Sequence, residues 1–456
     1  MAHAAHMLSA LLHRAVAAVA SLLLLVLLVV RVRGIAARRS RRHRRALRIA
    51  FLHPDLGIGG AERLVVDAAI ALQARGHSVS ITTAHHDRSR CFEETRDGTL
   101  AVHVAGSAVP RNLFGRLHIV CATLRSLVGA MWLVLSEPSC DAVVVDQVPS
   151  AVPLLRLCGL PVLFYCHFPD KLLVPGKQRN GFGALLKRAY RLPFDALEEV
   201  CTGAASLVLV NSAYTAGVYA ESFPLLRHLP PPAVLHPSID LERNPPMPAP
   251  VDATAKRDGD ASLVLVSINR FERKKALELA LNALRELRAA SPANGAARRL
   301  RLVLAGGFDE RLRENIDYFA ELQAMVADGG MEGAVSLRCN VSEAERRALF
   351  ASCAAVVYTP SYEHFGIVPL EAMAAARPVV AVGLGGPCES IVHGETGWLC
   401  EPTSSAFAAA FAEVLELDRI GRLAERGRAA RSRVEAHFSL PRFGERLEAH
   451  LRALCG

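Results

Sequence analysis

The 456-residue chain reads as an α/β protein with two doubly wound parallel sheets, one in each half. Three observations predict this. Short runs of Val, Ile and Leu alternate with helical patterns from Arg48 onward, as befits strands buried on both faces. A proline-rich stretch at 230–260, with PPP at 230–232, breaks the alternation and has linker composition. The alternation then restarts at Ser262. The length suits two or three domains. The expected organisation is an anchor and basic segment 1–46, a first domain 47–229, a linker 230–260 and a second domain 261–456 with terminal helices.

In the first domain the pattern predicts strands over Arg48–His53 (RIAFLH), Val79–Thr83, Leu100–Val104, Ala142–Asp146, Pro161–Cys166 and Leu207–Asn211. A glycine turn and a helix over Ala61–Ala74 follow the first of them. In the second domain the strands are Ser262–Ile268, Leu300–Ala305, Val335–Cys339, Ala354–Tyr358 and Pro378–Val382. Helices are expected at Leu277–Ala289, from about Val368, and from Asp418 to Leu454. Open α/β sheets bind ligands beyond the carboxyl ends of their strands. Two such edges facing one another across a cleft would serve two substrates.

Ala15 to Val30 is apolar apart from Ser21, and nine arginines follow between Arg31 and Arg48. Sixteen residues fall slightly short of the roughly 20 that span a bilayer, and extension back to Leu8 takes in His13 and Arg14. Positive charge stays on the cytoplasmic side, so the expected topology is a short lumenal N-terminus and a cytosolic body. A cleaved signal peptide carries its positive charge before the apolar run, and here it comes after. The formal net charge is +9, so without those nine arginines the chain is close to neutral. The basic balance is therefore a local address, and no nucleic-acid partner is predicted. Eleven dispersed cysteines with no C-x-x-C pair read as reduced thiols in a cytosol-facing protein.

A second apolar stretch, Leu117 to Leu135, carries Arg125 in its middle. The simpler expectation is a buried helix of the first domain. The alternative is a helix lying in the membrane interface, useful for a lipid acceptor.

Residues that could carry chemistry sit at predicted strand ends. In HPDLGIGGAER, at 53–63, Gly59 and Gly60 open a helix and let backbone N–H groups approach an anion. Glu62 stands where a dinucleotide fingerprint has its third glycine, so that motif is absent. His167 (YCHFPD) follows the strand ending at Cys166, with Asp170 placed to orient it or to cap the next helix. Arg270 and Lys275 follow the strand ending at Ile268, where cations could neutralise a departing diphosphate. Glu363 and Glu371 are spaced E-x₇-E around Phe365, Gly366 and Ile367. That order of loop, glycine and helix start suits a diphosphate on backbone N–H groups, with Glu371 in the first turn accepting from ribose hydroxyls.

These motifs, with GGPCESIVHGETGWL at 385–399, resemble the large family of retaining glycosyltransferases of the GT-B type, which have two Rossmann-like domains facing across a cleft. HPDLGIGGAERLVVDAA, FYCHFPDKLL, LVNSAYTA, SINRFERKK, LAGGFDER and YTPSYEHFGIVPLEAM are similar to the α-1,3/α-1,6-mannosyltransferases of asparagine-linked glycosylation, over about residues 48–440. The resemblance implies GDP-mannose as donor and a mannosylated chitobiosyl-diphosphodolichol as acceptor. It places the protein on the cytosolic face of the endoplasmic reticulum membrane, with other glycosyltransferases of the pathway as expected partners. It assigns Arg270 and Lys275 to the donor phosphates, Phe365, Gly366 and Ile367 to the diphosphate, Glu371 to the ribose and Glu363 to the mannose. His167 lies beside the reacting sugar, and Gly59 and Gly60 approach the donor phosphate.

No carboxylate nucleophile is evident, so retention implies front-face attack, the departing phosphate oxygen taking the acceptor proton. The only D-x-D, Asp258-Gly259-Asp260, falls in the linker, and neither a metal nor another cofactor is expected. The alternatives are a GT-B hexosyltransferase that uses a UDP-sugar, and a non-catalytic scaffold of a glycosylation complex.

Overall fold

The computed structural model describes residues 46–113, 117–173, 182–247, 262–292 and 295–456. The expected anchor, the arginines up to Arg45 and Asp258-Gly259-Asp260 lie outside them. The chain forms two compact units. One comprises the residues up to Asn211, Ala216–Leu235 and Gly444–Gly456; the other comprises Ser212–Thr215 and His236–Phe443.

The first unit is built on β1 (Arg48–His53), β2 (Ser78–Thr83), β3 (Ala101–Val104), β4 (Ala142–Asp146), β5 (Val162–Cys166), β6 (Leu207–Val210) and β7 (Ala233–Val234). All pair in parallel, in the order β3-β2-β1-β4-β5-β6-β7. Each strand expected in this half forms within a residue of its predicted ends, and β7 adds a two-residue strand inside the proline-rich stretch. Between β1 and β2 runs α1 (Gly60–Ala74), and between β3 and β4 runs α2 (His118–Ser136).

The expectation of a buried helix at Leu117–Leu135 needs correction. α2 buries one face only. Ala130, Leu133 and Val134 pack against Ala50, Leu52, Val143 and Val145 of β1 and β4. Leu117, Leu124, Val128 and Leu135 remain exposed. Within the helix, Leu124, Val128 and Leu135, at spacings of four and seven, return to the same side of a 3.6-residue repeat, so α2 carries an exposed apolar stripe over its C-terminal turns.

The second unit holds β8 (Leu263–Ile268), β9 (Leu300–Gly306), β10 (Val335–Cys339), β11 (Ala355–Tyr358), β12 (Val379–Val382) and β13 (Gly397–Cys400). They are parallel, in the order β10-β9-β8-β11-β12-β13. Successive residues of β8 show why both faces are covered. Leu265 joins Leu302, Val380 and Trp398 beneath α3 (Leu277–Ala289), which contributes Leu281 and Leu284. Val266 joins Val303, Val356 and Val379 on the other side, with Leu349 and Phe350 of α4 (Glu343–Ser352) and Leu370 and Met373 of α5 (Ile367–Ala374). Each such side chain removed from water is worth roughly 1.5–3 kcal/mol, which explains strands that are apolar at every position.

The C-terminal helix α6 (Leu440–Cys455) contributes its residues from Gly444 onward to the first unit. There Gly444 lies against Ala71, and Glu448 is paired with Arg75 and lies 3.1 Å from His77. All eleven cysteines are free.

Candidate active site

In both sheets the strand order reverses at one place, between β1 and β4 in the first and between β8 and β11 in the second. At such a switch point the connections leave in opposite directions and open a crevice beyond the strand ends. The sequence-predicted residues gather around these two places.

In the second unit, Arg270 and Lys275 follow β8, and Glu363 follows β11. The Lys275 ammonium is bonded to the Glu363 carboxylate. The Lys275 carbonyl accepts a hydrogen bond from Thr359 Oγ1 at 2.6 Å, which ties the two loops together through backbone as well. Burial pushes the Glu363 carboxyl up, but Lys275, the neighbouring His364 and a hydrogen bond from the Tyr358 hydroxyl hold it below the ordinary glutamate range. Glu363 is thus anionic and anchored. Arg270 is placed differently: its side chain is 61% exposed and bonded to Glu272 at 2.7 Å. Glu272 also holds Lys274 at 3.0 Å, so three charges line this loop beside Lys275.

Phe365, Gly366 and Ile367 form the entry to α5. Gly366 is its N-cap, at φ +85°, a left-handed conformation that favours glycine. A Cβ there would lie 3.1 Å from the Tyr358 hydroxyl. Phe365 is buried, with its ring 5.5 Å from that of His236 and 6.0 Å from that of Phe438. Its backbone is fixed by Gly386, where any Cβ would overlap it. The backbone N–H groups of the first turn are thereby held by packing on both sides, an arrangement suited to an anion.

Glu371 was expected in the first turn of this helix. α5 begins at Ile367, so Glu371 falls in the second turn. Its carboxylate is bonded to Arg346 of α4, a partner that sequence reasoning missed. Burial raises the Glu371 carboxyl above the ordinary glutamate range, and Arg346 opposes that rise.

In the first unit, Gly59 is the N-cap of α1 in extended conformation, and Gly60 is its first residue, with open space around it. The Glu62 carboxylate lies where a Cβ on Gly59 would be. His167 follows β5, and its orienting partner is not Asp170. Asp170 is paired with Arg191 at 3.3 Å, while His167 Nε2 lies 3.2 Å from Oδ2 of Asp146, at the end of β4. Asp146 in turn faces His53, the last residue of β1. Neither Asp146 nor His53 was singled out from sequence. The available signal was that both end apolar strands at a switch point. Among the described residues no group of three or more His, Cys, Asp and Glu is arranged to hold a metal ion.

Comparison with known proteins identifies the family. The family described as Glycosyltransferase Family 4 matches residues 58–243, and the family described as Glycosyl transferases group 1 matches residues 254–433. The alpha-1,3/1,6-mannosyltransferase of Homo sapiens is 45% identical over 412 residues, covering 89% of this chain and 96% of its own. That of Rhizomucor pusillus is 43% identical over 425 residues, covering 89% and 91%. Among solved structures, sucrose-phosphate synthase from Thermosynechococcus elongatus superposes with a TM-score of 0.67 at 19% identity, over 90% of this chain and 99% of that one. The catalytic domain of starch synthase IV from Arabidopsis thaliana gives 0.65 at 16% identity, over 90% and 99%. These structures share the GT-B fold of two Rossmann-like parallel sheets, and with that fold and its curated relatives the chain belongs to the alpha-1,3/1,6-mannosyltransferase family of glycosyltransferases.

Proposed function

We propose that the chain transfers mannose with retention from GDP-mannose to a dolichol-diphosphate-linked oligosaccharide, forming first an α-1,3 and then an α-1,6 linkage. One observation carries the reading of the donor side: Lys275 and Glu363 are joined where the strand order of the second sheet reverses, beside the helix start at Gly366. A nucleoside diphosphate leaving group requires its developing negative charge to be met by fixed cations and oriented N–H groups.

In this reading Lys275 and the exposed Arg270 hold the donor phosphates, and the N–H groups at Phe365–Ile367 support the diphosphate. Glu371, stiffened by Arg346, accepts from the ribose hydroxyls, and Glu363, anchored by Lys275, positions the mannose. In the first unit the turn at Gly59 and Gly60 is assigned to a phosphate and His167 to the reacting sugar. The acceptor hydroxyl attacks on the face from which the phosphate departs, and the phosphate oxygen takes its proton. The protein supplies position and charge.

The domain limits proposed are 47–229, 230–260 and 261–456, except that Ala233–Val234 and the residues from Gly444 onward join the first unit, with 1–46 as a membrane anchor that keeps the body on the cytosolic side of the endoplasmic reticulum membrane. The arginines that follow the apolar run 15–30 support that orientation. The apolar stripe of α2 supports a second, interfacial contact with lipid.

The test is direct. The purified full chain is incubated in detergent with GDP-mannose and a lipid-linked trisaccharide, with UDP-glucose and UDP-N-acetylglucosamine as competing donors, and the product linkages are analysed. A pentasaccharide carrying one new α-1,3 and one new α-1,6 mannose is the expected product. Transfer from a UDP-sugar in preference, or no transfer at all, rejects the reading.

A further inference from the structure

We propose that Asp146 is a positioning residue that fixes the tautomer of His167, leaving His167 Nδ1 as an acceptor for a sugar hydroxyl, and that His53 is a buried imidazolium which balances the Asp146 charge. The role of His167 rests on the function proposed above; the protonation pattern does not.

The pattern follows from counting donors and acceptors. Leu52 pairs with Val145 in the register of β1 and β4, so the next residues, His53 and Asp146, face one another at the sheet edge. Their side chains are 1% and 3% exposed. His53 Nδ1 lies 2.8 and 2.9 Å from the two oxygens of Asp146. His53 Nε2 lies 3.1 Å from the backbone carbonyl of Asp55. A carbonyl oxygen only accepts, so Nε2 carries a proton. An ionised carboxylate only accepts, so Nδ1 carries one as well. The ring is then cationic, and the anion that compensates it is Asp146.

The same carboxylate reaches His167, whose Nε2 lies 3.2 Å from Oδ2. His167 donates from Nε2, which leaves Nδ1 with its lone pair. Two further contacts fix this ring and its backbone: the Tyr165 ring meets it edge-on at 4.9 Å, and Asn211 Nδ2 donates to the His167 carbonyl at 2.9 Å. His167 itself is 22% exposed, so Nδ1 belongs to a group that a ligand can reach. His53 has a specific use here. With its charge already met by a cation, Asp146 is left as a fixed acceptor for His167 Nε2.

The other charged groups around the pair are few. Glu62 of α1 lies 3.9 Å from His53 Nε2. Arg125 of α2 lines, with His53, Asp146 and Ser126, a cavity of about 40 Å³ beside them. That volume is large enough to admit a water molecule.

The experiment uses the full chain in detergent, labelled with ¹⁵N at histidine. At pH 7.5 the wild type is expected to show both nitrogens of His53 protonated and His167 as the Nε2–H tautomer. In Asp146→Asn the amide oxygen still accepts from His53, while the amide N–H₂ faces His167 Nε2 and forces the opposite tautomer. Transfer should then fall about 10²-fold or more in kcat, with the donor KM within about 3-fold of wild type, as when an orienting carboxylate is lost. In a His167→Gln background the same change should alter kcat by less than about 2-fold, because Asp146 acts through His167. A neutral His53, an unchanged His167 tautomer in Asp146→Asn, or a full additional loss in the double variant overturns the inference. If Asp146→Asn does not fold, the wild-type spectrum still decides it. Failure of the wild type to transfer mannose would reject the function proposed above and leave the spectral result standing.

Discussion

Arg346 and Glu371, 25 residues apart, form an ion pair between α4 and α5, both side chains largely removed from solvent. The pair does for Glu371 what Lys275 does for Glu363: it converts a flexible glutamate into a fixed acceptor.

Breaking that pair from one side leaves a carboxylate in a poorly solvated place. Fully buried pairs lose about 3–5 kcal/mol when one partner is removed, and the quarter-exposed Arg346 should bring this nearer 2. Arg346→Met should therefore lower the melting temperature markedly, whereas Arg346→Met with Glu371→Leu should recover most of it. The double variant should still transfer at least about 10²-fold more slowly, having lost a charged substrate contact. Thermal melts beside a transfer assay separate the two effects; full activity in the double variant would remove Glu371 from the site.

Lys275→Ala should cost transfer about 10²-fold or more, because the cation that meets the leaving phosphate is gone. It also strips Glu363 of its main stabilising charge. Glu363 lies below its ordinary range in the folded protein. Its stabilisation is therefore present above the unfolded glutamate value and lost as pH falls through the folded one. Melting curves carried from pH 7 past the ordinary glutamate value of 4.5, down to about pH 3, should show a smaller acid-side loss in Lys275→Ala than in wild type, on a lower baseline.

The His53–Asp146 pair sets two opposite pH limits. Against the penalty of burial, His53 and His167 hold the Asp146 carboxyl at about 2, so its contribution is complete above the unfolded value of 3.8 and fades as pH falls towards 2. Burial lowers and Asp146 raises the His53 value, with a net rise above 6.5. Its contribution is complete below 6.5 and is lost as pH rises through the folded value. Stability should accordingly decline on the alkaline side in wild type and lose that decline in His53→Gln. An unchanged alkaline limb in the variant would show that His53 is neutral.

Gly366→Ala places a side chain at φ +85° and pushes on the Tyr358 hydroxyl, which hydrogen-bonds to Glu363. Strain of this kind costs about 1–3 kcal/mol. The donor KM should rise more than the melting temperature falls, since the displaced groups belong to the anion-binding turn. Calorimetry against a donor titration checks the order of the two effects.

Deleting residues 1–46 should reduce membrane retention more than turnover on a detergent-soluble acceptor. Adding Leu124→Glu and Val128→Glu on the outer stripe of α2 should abolish the remaining co-flotation with liposomes while the melting temperature holds, both positions being exposed. Equal retention in that variant would end the interfacial role.

The alternation of apolar runs placed every strand but β7 and β13, because a parallel sheet buried on both faces demands apolar residues at nearly every position. The motifs at strand ends were legible for the same reason: sequence adjacency to a strand end implies nearness to a crevice. Partners were not legible. Glu371 meets Arg346 on another helix, and His167 is held by Asp146 and not by its sequence neighbour Asp170. Such pairings depend on which strands lie side by side, and hydropathy carries no record of that. The outer stripe of α2 was hidden because a helix apolar all round looks alike whether one face or both are covered.

The last turns of α6 carry a consequence for biosynthesis. Residues from Gly444 onward complete the unit whose sheet begins at β1, with Glu448 clasping Arg75 and Gly444 seated on Ala71. A ribosome delivers those residues only after the whole of the second unit. The unit that emerges first therefore waits, with the α1 surface uncovered, until the second has been made, so the order of synthesis runs opposite to the order in which the two units can close.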